Sequence, residues 1–439
     1  MQLSVIGCGY LGAVHAACMA DLGHEVVGIE TDPAKVELLS AGRPPFHEPG
    51  FGEVLSRALA SGRLRFTTDI AEAAAAQVHF ICVGTPQSAG SDAADLTYVD
   101  SAVAGLLPLV GAGHPDGPVV VVGKSTVPVG TAERLDALLE PTGATLLWNP
   151  EFLREGFAIE DTVSPDRIVY GLPAGERGQA AAAVLDAVYH DQLEREIPRQ
   201  LTDLATAQLV KVAANAFLAT KISYINAMAE ICEVTGGDVT QLADAIGLDA
   251  RIGRKFLNAG IGFGGGCLPK DIRAFAARAE ELGQGQSVAF LREVDQINLR
   301  RRDRVLTLVT EQFGGDLTGR RVTVLGAAFK PNSDDVRDSP ALDIARRLHE
   351  AGAKVVVTDP AALPLVEARY PELTRVADTS AALEGAEVVV LATEWAEFRE
   401  LDPVATGGLV AARAIIDARN VLDPAAWRAA GWEYRGLGR

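Results

Sequence analysis

The chain has 439 residues, of which 48% are hydrophobic and 22% are charged. A globular chain of this length exceeds one ordinary domain, so about two or three domains are expected. The formal net charge of −18 at pH 7 excludes a sequence-independent attraction to nucleic acid or to anionic membranes. No apolar run of about eighteen residues occurs, and the sequence opens as a strand and a glycine turn rather than as a signal peptide. A cytoplasmic protein is therefore expected.

The cysteines form no close pair and no Cys-x-x-Cys motif, which argues against a disulfide framework and against a zinc site. We expect no metal, and most of these side chains are interpreted as small core residues. They are Cys8, Cys18, Cys82, Cys232 and Cys267.

The N-terminal sequence predicts a strand, a glycine turn, a helix and a second strand that ends at Glu30. Its glycines match the G-x-G-x-x-G fingerprint, which lets a pyrophosphate approach the helix N-terminus, while Glu30 can accept hydrogen bonds from a ribose diol. An acid at this place favours NAD over NADP, because a 2′-phosphate would meet a like charge, although Lys35 is a nearby cation. The predicted cofactor residues here are Gly7, Gly9, Tyr10, Leu11, Gly12, Glu30 and Lys35.

Two further strands are predicted at residues 78–83 and 119–122, and a threonine follows each of them. In an open parallel sheet, ligands bind at the carboxyl ends of the strands. Thr85 and Thr126 are therefore expected near a nicotinamide. For Thr85 a simple capping role after the strand is an equally good interpretation.

Another strand leads into residues 149–156, with the sequence NPEFLREG. Glu151 and Glu155 are four residues apart, so one helical turn would place both carboxylates on the same side. An exposed acidic turn is the alternative interpretation of this segment.

The longest helical pattern in the chain covers residues 202–234 and is free of glycine and proline. A helix of this length can offer a face to a second subunit. Lys211 and Asn215 lie one turn apart on an otherwise apolar stretch of it. Burying a lysine is costly unless it meets a partner or an anion, so Lys211 is a candidate site residue.

A glycine-rich loop at residues 260–271 reads GIGFGGGCLPKD. Such a loop costs stability unless the backbone must pass close to a ligand. It precedes a helix predicted at 272–282, so Cys267 lies at a helix N-terminus, where a thiolate is favoured. Lys270 and Asp271 follow at i+3 and i+4, which places a cation and a carboxylate on the same face as the sulfur.

A second α/β unit begins at residues 320–326, with further strands predicted at 354–358, 387–391 and 414–416. Its first turn lacks the glycine fingerprint, so a dinucleotide is not expected there. Lys330 and Arg337 follow that first strand and suit phosphate or carboxylate contacts. The predicted fold class is α/β, with two Rossmann-like, doubly wound parallel-sheet domains joined by a long central helix and a helical middle domain. The predicted domains are 1–200, 201–300 and 301–439.

The order of these motifs resembles the UDP-glucose/GDP-mannose dehydrogenase family over residues 1 to about 423. The segments that carry the resemblance are GCGYLG, VGTP, KSTVPVGT, NPEFLREG, LVKVAANAF, GFGGGCLPKD and FKPNSDDVRDSP. Gly156, DARIGRKFLNAGIG before the cysteine and DARN at 417–420 are similar to the UDP-glucose branch. Two residues depart from the usual pattern of that branch, Gly266 in place of serine and Leu268 in place of phenylalanine.

The resemblance implies an NAD-dependent four-electron oxidation of the primary alcohol of UDP-glucose to a carboxylate. Asp271, through a water held by Thr126, would be the base, and Lys211 and Asn215 would stabilise an oxyanion. Cys267 would form a thiohemiacetal and then a thioester. Glu151 is interpreted as the residue that positions the hydrolytic water.

The resemblance also implies binding contacts and an assembly. Glu155, Lys270 and Arg337 would contact NAD. Arg251 would reach the neighbouring subunit, so a homodimer is the minimum assembly expected. The residues expected to bind the UDP-sugar are Glu151, Phe152, Leu153, Arg154, Glu155, Lys211, Asn215, Arg251, Phe256, Phe263, Gly264 and Lys330.

Three alternatives stay open at this point. The same machinery can oxidise GDP-mannose or a UDP-N-acetylhexosamine. A two-electron dehydrogenase that releases an aldehyde would leave Cys267, Lys211 and Asn215 without a purpose. A non-catalytic nucleotide-sugar sensor would be expected to lack the cysteine or the lysine, and both are present.

Overall fold

The computed structural model describes residues 1–111 and 113–439. The chain forms two compact units. The first comprises Met1–Ala214 with Ala277–Gly283, and the second comprises Asn215–Ala276 with Gln284–Arg439. Across the described ranges, no helix combines the length and the apolar character needed to cross a membrane.

The first unit is built on an eight-stranded sheet in the order β3-β2-β1-β4-β5-β6-β7-β8. Its strands are β1 Gln2–Ile6, β2 Glu25–Ile29, β3 Leu64–Thr67, β4 Val78–Ile81, β5 Val120–Gly123, β6 Thr145–Trp148, β7 Ile168–Leu172 and β8 Arg199–Asp203. Its helices are α1 Tyr10–Asp21, α2 Pro33–Ser40, α3 Phe51–Ala60, α4 Thr97–Val110, α5 Thr131–Leu139, α6 Ala158–Val163, α7 Glu176–Val188 and α8 His190–Glu194, and Ile70–Ala75 and Glu140–Thr142 are short 3₁₀ helices.

Both faces of this sheet are covered, which explains why its central strands are almost continuously apolar. Leu3 and Val5 of β1 belong to one hydrophobic cluster, and Ile6 belongs to the cluster on the opposite side. All strand pairs in the sheet are parallel except β6 and β7, which pair antiparallel through Trp148 and Gly171. The predicted parallel sheet is therefore confirmed with one antiparallel exception.

The second unit contains a six-stranded parallel sheet in the order β11-β10-β9-β12-β13-β14. Its strands are β9 Arg321–Leu325, β10 Lys354–Thr358, β11 Thr374–Arg375, β12 Val388–Leu391, β13 Ala414–Asp417 and β14 Glu433–Gly436. The helices that follow β8 in the chain are α9 Leu204–Thr235, α10 Val239–Gly247, α11 Leu268–Glu281, α12 Phe290–Gln312, α13 Pro340–Glu350, α14 Leu363–Arg369, α15 Thr379–Leu383, α16 Ala396–Arg399, α17 Pro403–Thr406 and α18 Pro424–Ala429, with a 3₁₀ helix at Gly285–Val288.

The two sheets share the strand order of doubly wound nucleotide-binding folds, which confirms the predicted fold class. The long helix α9 starts two residues later than predicted, because β8 extends to Asp203, whose carboxylate accepts the N–H of Thr206 at 2.7 Å. Helix α11 starts at Leu268, earlier than predicted, because proline is tolerated in the first turn of a helix. The domain boundaries at residues 200 and 300 stay predictions.

Candidate active site

The glycine turn between β1 and α1 has the geometry of a dinucleotide site. Gly7 has φ 88°, and a Cβ on Gly12 would lie 1.9 Å from the Gly7 carbonyl oxygen. These two glycines are required by the turn itself. A Cβ on Gly9 would meet no atom within 4 Å, so this glycine leaves open space directly before the start of α1 at Tyr10. The residues present therefore fit a pyrophosphate at the helix N-terminus.

Glu30, at the end of β2, is a buried carboxylate. It accepts the N–H of Cys8 at 3.1 Å and, through its other oxygen, the N–H of Asp32 at 3.1 Å. Burial and then the charge of Glu30 raise the pKa of the Cys8 thiol, and Lys35 opposes this shift. The acid and the cation that bear on the choice between NAD and NADP therefore both lie near this turn.

The two threonines predicted near the nicotinamide are linked to each other. The Thr85 hydroxyl donates to the Thr126 carbonyl oxygen at 2.8 Å. This bond joins the loop after β4 to the loop after β5, and it agrees with the structural interpretation of Thr85. Thr126 is partly buried.

Residues 151–156 do not form the helical turn predicted from the spacing of Glu151 and Glu155. Glu151 accepts the N–H of Leu153 at 2.6 Å, which is a local turn closed by a side chain. Its other oxygen pairs with the Lys211 ammonium at 3.0 Å, and both side chains are largely buried. The alternative of an exposed acidic turn is therefore also wrong for Glu151, and Lys211 has the partner that its burial demands.

The aromatic ring of Phe152 lies among cations. The Arg167 guanidinium is 3.7 Å from the ring centroid, and the Lys211 ammonium is 5.6 Å from it. Arg154 pairs with Asp161 at 2.6 Å, and hydrogen bonding to that carboxylate raises the pKa of Arg154. Arg167 was not predicted from the sequence.

In the second unit, Asn215 of α9 donates to Asp271 of α11 at 2.6 Å. Asp271 is only 2% exposed, and its other oxygen accepts from Lys270 at 2.6 Å. The predicted base is therefore a buried carboxylate whose two oxygens are each fixed by a donor.

Cys267 is exposed and immediately precedes α11. Its carbonyl oxygen accepts the N–H of Asp271 at 3.0 Å, so the predicted position at a helix N-terminus is confirmed. The carboxylate of Asp271 lies one turn further along the same helix. All five cysteines of the chain carry thiols rather than disulfides.

The glycine loop before Cys267 is held closely against the segment after β9. A Cβ on Gly264 would lie 2.2 Å from the Asp338 carbonyl oxygen, and one on Gly265 would lie 2.7 Å from the Phe329 ring. Asn298 of α12 accepts the N–H of Phe263 at 2.7 Å and donates to its carbonyl at 2.9 Å. The Phe263 ring is buried, so we expect its ligand contacts to come from the main chain.

The two cations predicted after β9 both lie in the segment between β9 and α13. Lys330 has its ammonium 5.3 Å from the Phe329 ring centroid. Arg337 pairs with Asp335 at 2.7 Å, and its guanidinium carbon lies 2.3 Å from the place of a Cβ on Gly266. Arg337 is therefore adjacent to the residue before the cysteine.

Two predicted sugar-binding residues lie in the connection between α10 and α11. Arg251 pairs with Asp249 at 2.6 Å, and its side chain is 89% exposed. Phe256 is half-exposed and has φ 65°. A bulky residue in this backbone region is strained and is held there by its surroundings.

Three consecutive matches to one family cover most of the chain. Residues 1–192 match its NAD binding domain, residues 205–300 its central domain and residues 323–424 its UDP binding domain. The chain belongs to the UDP-glucose/GDP-mannose dehydrogenase family.

Relatives within this family match the chain from end to end. A protein named UDP-glucose 6-dehydrogenase from Rhizobium meliloti is 40% identical over 444 residues, which covers 100% of both chains. UDP-glucose 6-dehydrogenase TuaD from Bacillus subtilis is 40% identical over 449 residues, which covers 100% of this chain and 93% of that protein. The solved structure of a UDP-glucose dehydrogenase from Pyrobaculum islandicum is 42% identical, with a TM-score of 0.89 and coverage of 100% and 97%.

Lys124 and Glu48 are buried polar side chains that were not singled out from the sequence. Lys124, directly after β5, donates to Asn149 at 2.9 Å and to the Tyr189 hydroxyl at 3.2 Å. A lysine at the carboxyl end of an apolar strand is a signal that could have identified it. Glu48 carries no such signal, because it stands in a proline-rich loop without hydrophobic periodicity.

Proposed function

We propose that this protein catalyses the NAD-dependent four-electron oxidation of UDP-glucose to UDP-glucuronate. The observation that carries the proposal is an exposed cysteine at the start of α11, one turn before the buried Asp271 that Asn215 holds. The identity of 40% over the whole length with proteins named UDP-glucose 6-dehydrogenase supports the substrate.

The residues that would hold NAD are those of the first glycine turn, with Glu30 on a ribose and Lys35 nearby. When bound, NAD accepts one hydride in each of the two oxidations. Thr85, Thr126, Glu155, Lys270 and Arg337 are the further cofactor contacts that we propose. The fingerprint contacts are Gly7, Gly9, Tyr10, Leu11 and Gly12.

In the first oxidation, Asp271 takes the proton of the primary hydroxyl through a water held by Thr126. The fixed orientation of its carboxylate by Asn215 and Lys270 supports this role, because a general base works only from a defined position. Lys211 and Asn215 donate to the oxygen on which negative charge develops. Donors aimed at such charge in a water-poor site are worth several kcal/mol of barrier lowering, about 3 kcal/mol for one donor.

In the second oxidation, the Cys267 thiolate adds to the aldehyde carbon and forms a carbon–sulfur bond. Loss of a hydride from this thiohemiacetal leaves a thioester on the same sulfur. Water then attacks the thioester carbon, the carbon–sulfur bond breaks and the thiolate leaves. Glu151 positions that water, and its pairing with Lys211 at 3.0 Å supports a fixed place for its carboxylate.

The UDP-sugar would be held by residues 152–155 and by the segment that contains the cysteine loop. Phe256, Phe263 and Gly264 belong to that segment, and Lys330 follows β9. The close approach of the loop backbone to the Asp338 carbonyl at Gly264 supports a role for main-chain contacts.

A homodimer is the assembly that we propose. Phe217, Tyr224 and Ile231 recur every seven residues along α9 and are 66%, 52% and 54% exposed, which is an apolar stripe that a second helix can cover. Arg251 extends into solvent and would reach the sugar nucleotide of the neighbouring subunit. A cytoplasmic location stays a prediction.

The second candidate function is the same chemistry on another nucleotide sugar. The solved structure of a UDP-D-ManNAc dehydrogenase from Pyrococcus horikoshii is 26% identical, with a TM-score of 0.84 and coverage of 100% and 99%. The higher identity of 42% with the UDP-glucose dehydrogenase structure favours UDP-glucose. GDP-mannose is the remaining alternative.

The test is the amount of NADH formed per UDP-glucose at limiting sugar. We expect two NADH per sugar, with the acid as product.

A substitution of the cysteine gives a second test. Cys267→Ala should lower the rate at least about 1,000-fold, as loss of a nucleophile does. The matched control is Cys232→Ala, which changes a buried cysteine of α9. One NADH per sugar, or unchanged turnover in Cys267→Ala, would contradict the covalent mechanism, and no NADH would move the search to the other nucleotide sugars.

A further inference from the structure

Residues 41–50, between α2 and α3, are anchored on the first glycine turn by aromatic contacts. The Phe46 ring lies 4.7 Å from the Tyr10 ring and stacks on Phe51 at 5.2 Å, centroid to centroid. Tyr10 is the first residue of α1 and is part of the glycine fingerprint. The loop is therefore fixed to the residue that follows the open space at Gly9.

Glu48 of this loop is a buried carboxylate, only 6% exposed. One of its oxygens accepts the N–H of Gly156 at 2.6 Å and the hydroxyl of Tyr10, and the other accepts the N–H of Ala158 at 2.8 Å. Gly156 also donates to the Tyr10 hydroxyl oxygen at 3.0 Å. Three donors thus converge on the two oxygens of one carboxyl group.

Residues 151–156 depend on such contacts, because they have no regular hydrogen-bonding pattern of their own. Gly156 has φ 82°, a conformation that favours glycine. The segment carries Glu151, which pairs with Lys211, and Glu155. Side chains from outside the segment bond to its backbone. Glu48 and Tyr10 accept the N–H of Gly156, and Asp161 accepts the N–H of Arg154 at 2.8 Å.

The Tyr10 hydroxyl is a proton donor at neutral pH. Burial, followed by the hydrogen bond to Glu48, raises the pKa of Tyr10 well above its ordinary value, and the charge of Glu155 adds to the shift. Tyr10 thus joins the glycine turn, through Glu48, to the segment that carries the two glutamates.

We infer that Glu48 and Tyr10 link the dinucleotide turn to residues 151–156, so that a dinucleotide bound at the turn orders the segment that holds the sugar. Glu48 is a positioning residue in this link and touches neither substrate. The inference rests on the proposed function for the identity of the sugar, but the ordering itself requires only the cofactor.

An isosteric change tests the link. Glu48→Gln keeps the size of the side chain but turns an NH₂ group toward a donor, since the three donors need two acceptor oxygens. The KM for UDP-glucose should rise about tenfold, as expected for a lost charge-assisted hydrogen bond, while the KM for NAD stays within about twofold. Asp69→Asn is the matched control, because Asp69 is an exposed carboxylate that caps a 3₁₀ helix through the Ala71 N–H at 2.9 Å.

A structural defect alone would lower the number of active molecules and leave both KM values unchanged. Both KM values within twofold of wild type in Glu48→Gln would therefore overturn the inference. If Glu48→Gln does not fold, Tyr10→Phe carries the test, since it removes one hydroxyl and leaves Glu48 bonded to both main-chain N–H groups.

Hydrogen–deuterium exchange provides a readout that needs no sugar. NADH should slow amide exchange in residues 151–158 of the wild type and of Asp69→Asn, and this slowing should be lost in Tyr10→Phe and in Glu48→Gln. Equal slowing in all four proteins, or no slowing in a wild type that binds NADH, would overturn the link. Because this experiment uses NADH alone, a failure of UDP-glucose as substrate does not affect its outcome.

Discussion

The two sheets, one in each unit, share a strand order but differ at the turn after the first strand. The first glycine of each turn has the same role: Gly7 has φ 88° and Gly326 has φ 109°. A Cβ there would lie 2.7 Å from Val83 in the first unit and 2.4 Å from Thr393 in the second. This glycine therefore serves the packing of neighbouring strand ends, whether or not a dinucleotide binds.

The difference begins two residues later, where Gly9 of the first turn corresponds to Ala328 of the second. In the second unit, Asp359 accepts the N–H groups of Ala327 at 2.7 Å and Ala328 at 3.0 Å, and also the indole N–H of Trp395 at 3.1 Å. The Cys8 N–H of the first turn is likewise bonded, to Glu30 at 3.1 Å, so the difference lies in the Ala328 N–H, which a phosphate would need and which Asp359 already occupies. We infer that the occupied donor at Ala328, rather than the strand order that both sheets share, disfavours a phosphate at the second turn.

The largest expected effect comes from removing the acid that closes the second turn. Asp359→Ala leaves buried N–H groups without an acceptor and should lower the free energy of unfolding by about 3–4 kcal/mol, measured by urea denaturation. Asp378→Ala, which removes an exposed N-cap of α15, should cost only about 1 kcal/mol. A gain of NADH binding by the second turn in Asp359→Ala would support the view that occupied donors disfavour a phosphate there, whereas an unfolding cost no larger than that of Asp378→Ala would contradict the role given to Asp359.

A substitution at Gly9 of the first turn should weaken NADH binding and leave the fold intact. Gly9 has φ −66° and ψ −163°, at the edge of the extended region that non-glycine residues adopt, and no protein atom lies within 4 Å of the place of a Cβ. Gly9→Val should therefore weaken NADH binding about 100-fold, which is about 2.7 kcal/mol, with unfolding little changed. Ala328→Gly, the corresponding position of the second turn, should leave the Kd for NADH within twofold, and an equal loss in both variants would contradict the assignment.

The smallest expected effect is a pH dependence of stability, which arises from a histidine in the first sheet that has no counterpart in the second. Ser4 of β1 is paired with His79 of β4, whereas Thr323 of β9 is paired with Val389 of β12 at a similar place in the second sheet. Burial lowers the pKa of His79 from 6.5 to about 4. Between these values the unfolded chain binds more protons than the folded one, so the stabilisation present above pH 6.5 is lost as the pH falls toward 4.

The free energy of unfolding should therefore drop by about 2 kcal/mol from this group between pH 7 and pH 5. His79→Val, which copies the second sheet, should show a correspondingly weaker pH dependence in urea titrations at both pH values. If the free energy of unfolding changes with pH equally in the wild type and in His79→Val, the His79 imidazole is not the group that causes the pH dependence.

The regular elements were predictable because their signals are local. The strand predicted at 354–358 coincides with β10, since KVVVT is an apolar, β-branched run after a glycine turn. The helical turn predicted for residues 151–156 was wrong, because Glu48 accepts the Gly156 N–H from 108 residues away. A contact of that separation leaves no periodic pattern in the sequence.

The residues of the candidate site also fall into those with a local sequence signal and those without one. Lys211 and Asn215 could be selected because polar side chains on an apolar helix demand partners, and each has one in Glu151 or Asp271. Cys267 could be placed because glycine, proline and charge surround it. Arg167 and Glu48 could not be found, because their roles exist only once the fold brings distant strands and loops together.

Gly266 has a consequence for how this chain can diverge from its relatives. The Arg337 guanidinium occupies the space of a Cβ at this position, 2.3 Å from its guanidinium carbon. A serine here would push the arginine away, and the arginine would have to give up part of its pairing with Asp335. The end of a long side chain moves at little cost in energy. A glycine-to-serine change at position 266 is therefore tolerated, provided that residue 337 changes its position or identity as well. Residues 266 and 337 are therefore expected to covary among close homologues, and a graft of one without the other would disturb the loop that carries Cys267.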